Sequence, residues 1–312
     1  MILIFNSCKK SAKEKLSIET FQIEGASYIR SVFFINDSIG FACGGKRDFE
    51  GCIYKTTNGG SSWSKRIVAK PRCMYDIFFI NDSVGFAGGD FLYLLTTSDG
   101  GDNWTHFPYK FNELPFHEQN RPAIKKFAFN SNGRGCFVGG EDYNKGVIYQ
   151  TIDNGTSWSF DTLNQEIGSA CLKGDNAFVA GFGYIGKSLS GSFEQLSLTD
   201  DVFTGIQELD DQSIIVVSNT GGVSKSNNQG KNWTTILKKK GAFSKRISYN
   251  GISFSGNRGM IIADYTMLIS VDYGDTWKEV DYDSEYQLTS INNFNNLFYV
   301  STENGTVLKI SL

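Results

Sequence analysis

Three of the eight arginines, Arg72, Arg121 and Arg246, stand just ahead of apolar, strand-like runs. A guanidinium is a rigid fork of N–H donors that matches a carboxylate in two contacts. Three forks converging on one place would recognise an acidic group. The same three held apart would pair with local acids or lie in water, and a register slip of one residue turns a side chain away. Few other groups invite chemistry. His106 and His117 are the only histidines, too few for a histidine metal site. Cys8, Cys43, Cys52, Cys73, Cys136 and Cys171 contain no Cys-x-x-Cys pair, and most read as small buried hydrophobes. Cys43 and Cys52 fall on successive strands, where a bridge between them is conceivable. No dinucleotide fingerprint is present. The sequence therefore assigns no catalytic residue, no metal and no cofactor.

Five copies of one short stretch position these residues. They are Thr56-Thr57-Asn58-Gly59-Gly60-Ser61-Ser62-Trp63, Thr97-Ser98-Asp99-Gly100-Gly101-Asp102-Asn103-Trp104, Thr151-Ile152-Asp153-Asn154-Gly155-Thr156-Ser157-Trp158, Ser226-Asn227-Asn228-Gln229-Gly230-Lys231-Asn232-Trp233 and Ser270-Val271-Asp272-Tyr273-Gly274-Asp275-Thr276-Trp277. All five tryptophans of the chain close such a stretch. The Asp or Asn is expected to accept from backbone N–H groups two residues on, closing an Asx turn. The Gly supplies a positive φ. The Trp opens the next strand and buries a large ring between neighbouring sheets.

Trp63 and Trp104 are 41 residues apart, and Trp233 and Trp277 are 44 apart. That is the period of one four-stranded propeller blade. A worn copy, Ser188-Leu189-Ser190-Gly191-Ser192-Phe193, divides the long gap between Trp158 and Trp233. A second repeat runs in phase. Val32-Phe33-Phe34-Ile35-Asn36-Asp37-Ser38-Ile39-Gly40-Phe41 returns as Ile77-Phe78-Phe79-Ile80-Asn81-Asp82-Ser83-Val84-Gly85-Phe86, and more loosely from Phe127. Each copy reads as two apolar strands around a polar turn. The prediction is all-β: a single seven-bladed propeller over 16–312, with blades near 26–68, 73–107, 123–163, 167–198, 202–237, 247–281 and 287–312. The alternating stretch Leu16 to Glu24 completes the last blade and leaves no unpaired edge. Three of the four prolines fall in an insertion, Pro108 to Pro122, outside the strands.

The boxes resemble the Asp-box, or BNR repeat, of sialidase-like propellers. With Gly40-Phe41-Ala42-Cys43-Gly44-Gly45 and Gly85-Phe86-Ala87-Gly88-Gly89 ahead of them, the chain from about Ser27 is similar to the photosystem II assembly/stability-factor propellers. That resemblance implies a non-enzymatic scaffold that binds partner proteins, with an arginine-lined patch in some members. In such a propeller, inter-blade loops and second-to-third-strand loops share a top face, opposite the boxes. The top face would collect Lys46, Arg47, Asp48, Asp90, Glu141, Asp142, Tyr143, Tyr184, Asp264, Tyr265 and Glu303 beside the three arginines. The candidate binding set is Arg72, Arg121, Arg246, Arg47, Asp90, Glu141, Tyr143, Tyr184, Asp264 and Tyr265. The expected ligand is a protein partner or an acidic glycan or peptide. A sialidase-like glycosidase is the alternative, with Tyr75 or Tyr249 near the arginines, although the Arg-Ile-Pro stretch of those enzymes is missing.

The formal net charge is −3, which gives no electrostatic case for nucleic acid. At the start, an apolar run, Met1 to Phe5, followed by Asn6, Ser7, Cys8, Lys9 and Lys10, resembles the end of a bacterial lipoprotein signal. Residues 1–15 are thus expected to be a signal remnant and tether, with Cys8 lipidated. The expected state is a monomer, anchored to the cell envelope by lipid alone.

Overall fold

The computed structural model describes residues 16–107, 121–189, 192–238, 247–280, 282 and 284–312. Cys8, Arg246, His117 and nearly all of the Pro108 to Pro122 insertion lie outside them. Seven four-stranded antiparallel sheets follow one another along the chain. Blade one is Ile29–Phe34, Gly40–Lys46, Glu50–Thr56 and Ser64–Ala69, paired in that order. The inner strands of blades two to seven are Met74–Phe79, Ala123–Phe129, Ile167–Lys173, Phe203–Glu208, Tyr249–Ser255 and Leu288–Phe294. Blade seven takes its outer strand from the N-terminus: Ser17–Gln22 pairs with Thr306–Ser311, Ser17 opposite Ser311 and Gln22 opposite Thr306. The ring closes as the alternation of Leu16 to Glu24 predicts.

The core lies between blades, because each middle strand is apolar on both faces. One cluster joins Phe41, Cys43 and Ile53 of blade one to Met74, Ile77, Phe79 and Trp104 of blade two. Cys52 belongs to the cluster on the other side of blade one, with Tyr299 and Val307 of blade seven. Cys43 stands opposite Ile53 and Cys52 opposite Gly44, so the two thiols face opposite sides of one sheet. Both are free, and the conceivable bridge between them is not made.

The boxes work differently from the expected Asx turn. In the first, Thr56 Oγ1 accepts the Gly60 N–H at 3.0 Å and donates to Asn58 Oδ1 at 2.9 Å. Asn58 Oδ1 accepts the N–H of Ser62, four residues on, at 2.9 Å. The same bonds recur around Asp99, Asp153, Asn228 and Asp272. The glycine is required twice over. It has positive φ in every box, and a Cβ there would strike the preceding blade: Phe41 at 2.4 Å from Gly101, Phe86 at 2.4 Å from Gly155, Ile215 at 2.5 Å from Gly274. Trp104, Trp158 and Trp277 donate their indole N–H to that glycine's carbonyl, and each ring stands edge-on to a phenylalanine ending an inner strand. Trp63 and Trp233 keep the ring position but leave a buried indole N–H without an acceptor.

Lysines clamp the same rim. Lys55, almost fully buried, reaches from blade one to Gly100 O at 2.7 Å and Asp102 at 2.9 Å in the box of blade two. Lys225 spans from blade five to Asp275 at 2.8 Å in blade six. Burial makes these pairs matter structurally, since each carries a lysine that loses its hydration.

Candidate functional site

All seven inner strands carry a register shift near their start, after the first residue in six blades and after the second in blade three. A bulge inserts one unpaired residue and turns its side chain out of the ladder. Here the inserted residues are Arg30, Tyr75, Lys125, Gly168, Thr204, Asn250 and Thr289, one per blade. All seven line a single cavity of about 480 Å³ on the propeller axis. It extends from Tyr28 and Gln287, beside the inter-blade connections, down to Ile252 and Ile291.

The ring is lopsided. Blades one to three supply Arg30, Lys125 and Lys126, while blades four to six supply Gly168, Gly205 and Gly251. Arg30 is held flat between two tyrosines, 4.3 Å from the Tyr28 ring centroid and 4.9 Å from that of Tyr75. Its Nε donates to Cys73 Sγ at 3.0 Å. Among the described residues no carboxylate lies within ion-pair distance of Arg30, so its fork is oriented but uncompensated. Burial pushes the Cys73 thiol up to about 11 against the pull of Arg30, so Cys73 stays a neutral acceptor. Lys125 is ion-paired with Glu166. Lys126 lies 3.2 Å from Asp76, which is almost fully buried and also accepts Ser31 Oγ–H at 2.6 Å and the Phe127 N–H at 2.8 Å. One carboxylate thus ties the inner strands of blades one, two and three together.

Above this ring, the Tyr75 hydroxyl donates to Asp90 Oδ1 at 3.0 Å, and the Cys73 N–H donates to Asp90 Oδ2 at 2.8 Å. Burial raises both the Asp90 carboxyl and the Tyr75 hydroxyl from their ordinary values. Asp90 opens a tight turn in which Phe91 and Leu92 both have φ of 57°. Arg47 of blade one reaches Glu141 of blade three as an ion pair. Asp264 accepts from Asn250 Nδ2 at 3.3 Å and Gln287 Nε2 at 3.2 Å, so it braces the cavity wall.

The predicted residues therefore separate. Arg47, Asp90, Glu141 and Asp264 do gather on one face, and Tyr143 and Tyr265 are exposed there. Of the predicted arginine trio, Arg246 lies outside the described residues. Arg72 stacks on Phe91, 4.6 Å from its centroid, and neither it nor Arg121 is among the residues lining the cavity. Both precede the bulge by three or four residues and sit in inter-blade connections. Tyr184 is also misplaced by the sequence reading: it is 3% exposed, inside the core between blades three and four with Val138 and Ile148. Tyr249 is buried between blades five and six. Arg30 was missed. The in-phase repeat held the signal, because Arg30, Tyr75 and Lys125 each stand two residues before a repeat that begins at Val32, Ile77 or Phe127.

The exposed aromatics have a clear distribution. Phe49, Tyr143, Phe182 and Tyr265 sit in the hairpins joining second to third strands of blades one, three, four and six, and Tyr286 precedes the inner strand of blade seven. These are all the exposed aromatic side chains among the described residues, 41–71% exposed, and all lie on the face opposite the boxes. Tyr143 and Phe182 touch, with centroids 5.1 Å apart.

A model of the family described as photosynthesis system II assembly factor YCF48 matches residues 10–196. The chain belongs to that family. No curated protein matches it. Among solved structures, YCF48 bound to a D1 peptide is 18% identical, with a TM-score of 0.74 and 95% of each chain covered. YCF48 from Cyanidioschyzon merolae is 17% identical, with a TM-score of 0.71 over 94% of this chain and 98% of that one. Virginiamycin B lyase from Staphylococcus aureus is 12% identical, with a TM-score of 0.72 over 96% and 100%. At these identities the likeness is one of fold, and propellers of one fold serve unrelated functions.

Proposed function

We propose that this protein is a non-enzymatic scaffold whose top face binds a segment of a partner protein bearing an acidic group. The observation that carries the reading is the placement of every exposed aromatic side chain of the described residues around one mouth, above the uncompensated Arg30. Aromatic rings and arginine are the groups that concentrate binding energy at protein interfaces. A solved relative in complex with a D1 peptide supports the reading. The reading includes lipid attachment at Cys8, which would hold the propeller at the cell envelope; the mass of an N-terminal peptide from cells tests that part. For the scaffold itself, Tyr143→Ala with Phe182→Ala should lower partner capture at least tenfold while the melting temperature stays within a few degrees. Unchanged capture would refute it.

One observation favours the glycosidase reading: the Tyr75–Asp90 pair beside Arg30. Against it, Tyr75 is held above its ordinary pKa, the reverse of an activated nucleophile, and neither Arg72 nor Arg121 joins Arg30 in the cavity. Turnover of a fluorogenic sialoside, lost on Tyr75→Phe, would establish it.

A further inference from the structure

The cavity's two walls differ in what they ask of a ligand. On one side Arg30 offers N–H donors with no carboxylate among the described residues to satisfy them. On the other, in blade five, the Thr204 hydroxyl spends its proton on Tyr249 O at 2.6 Å. Thr204 therefore has oxygen lone pairs, not a proton, to offer a ligand. A ligand that satisfies both walls has a carboxylate on one side and an N–H donor on the other.

Gly168 makes room for it. A Cβ there would meet nothing within 4 Å, and its backbone lies outside the left-handed region. The six equivalent positions in the other blades all carry side chains. The missing side chain at Gly168 is thus not demanded by the fold. By contrast, a Cβ at Gly205 would meet Ile252 at 2.8 Å, so that glycine is fixed by packing. The cavity, about 480 Å³, is of a size that binds ligands of several residues or a small molecule.

We propose that the partner segment enters the cavity as an extended peptide, its carboxylate on Arg30 and an amide N–H on Thr204, along the aisle left open at Gly168. This rests on the scaffold reading and goes beyond it, since a scaffold could bind a partner wholly on the rim.

The test uses the whole protein and three short probes. Acetyl-Gly-Ala-Glu-Ala-Gly-amide carries only a side-chain carboxylate. Acetyl-Gly-Ala-Ala with a free C-terminus carries only a terminal one. Acetyl-Gly-Ala-Gln-Ala-Gly-amide carries neither. Binding is read from the NMR signals of the Arg30 Nε–H and the Gly168 amide. At least one carboxylate probe should shift both signals, and the stronger identifies whether a side chain or a chain end is taken. The neutral probe should bind at least tenfold more weakly. Gly168→Leu should weaken the bound probe at least tenfold with an unchanged melting temperature, and Arg30→Gln should do the same. Overturning results are no shift from any probe, equal binding by Gly168→Leu, or acetate alone matching the peptides, which would make this an anion subsite only. The rim substitutions at Tyr143 and Phe182 should leave the short probes unaffected. If those substitutions also leave partner capture intact, the scaffold reading fails separately.

Discussion

Asp76→Ala should destabilise the protein by about 3–5 kcal/mol, the cost of breaking a buried charge pair. The carboxylate is 2% exposed and accepts from three donors on two other blades. Its removal strands the Ser31 hydroxyl and the Phe127 N–H, each costing about 1–3 kcal/mol when buried without a partner. The Lys126 contribution is smaller, because its side chain is 35% exposed and water takes up the ammonium. At roughly 2–4 °C per kcal/mol for a large domain, the melting temperature should fall by about 10 °C. Ser31→Ala removes one donor and leaves the carboxylate with two, so it should cost only about 1 kcal/mol. Urea unfolding of both single variants and the double variant would measure this. The double should lose much less than the sum of the singles, since the hydroxyl and the carboxylate act on each other. An Asp76→Ala variant within 1 kcal/mol of the parent would refute the claim that this carboxylate ties three blades together.

Three other outcomes are expected. Hydrogen bonds from the Asn103 N–H to Asp99, and from Ser157 to Asp153, hold both carboxyls down at about 2, below the unfolded value near 4. Their stabilisation is therefore complete above pH 4 and lost as pH falls from 4 to 2; Asp99→Asn with Asp153→Asn, the residue native to two boxes, should flatten that loss in urea midpoints taken across this range. Trp158→Phe should cost about 1 kcal/mol more than Trp63→Phe in thermal unfolding, because only Trp158 has an acceptor for its indole N–H to lose. Deleting residues 1–24 strips the outer strand from blade seven, bares the edge of Thr306–Ser311 and removes the fully buried Ile23, so light scattering should show aggregation; a stable monomer would contradict closure by that strand.

The architecture was legible because its signals repeat. Five Trp-closed boxes and the in-phase Phe-Phe motif give the blade count, and the alternation of Leu16 to Glu24 gives the closure. What failed was register at the scale of single residues. Arg72 and Arg121, sought at strand starts, lie in connections, while the inward position is created by a bulge that adds one residue to each inner strand. A period-two reading cannot see that residue, which is why Arg72 was favoured over Arg30. The box hydrogen bonds were misread for a related reason. The sequence shows an Asp or Asn and a Gly, but not that the side-chain oxygen reaches four residues forward while the Ser or Thr hydroxyl caps the Gly N–H. Tyr184 was misassigned because a hairpin residue and the first residue of the next strand differ by one position and by the whole thickness of the sheet.

The central claim, that the aromatic face is the binding face, is tested most directly by placing a photo-crosslinking amino acid at Tyr143 and, separately, at Ile152. Both positions are well exposed, at 64% and 78%, on opposite faces of the ring. The account predicts that Tyr143 yields a discrete crosslinked protein that disappears with Arg30→Gln, and that Ile152 does not yield it. The same product from Ile152, or a product from Tyr143 indifferent to Arg30, would contradict it.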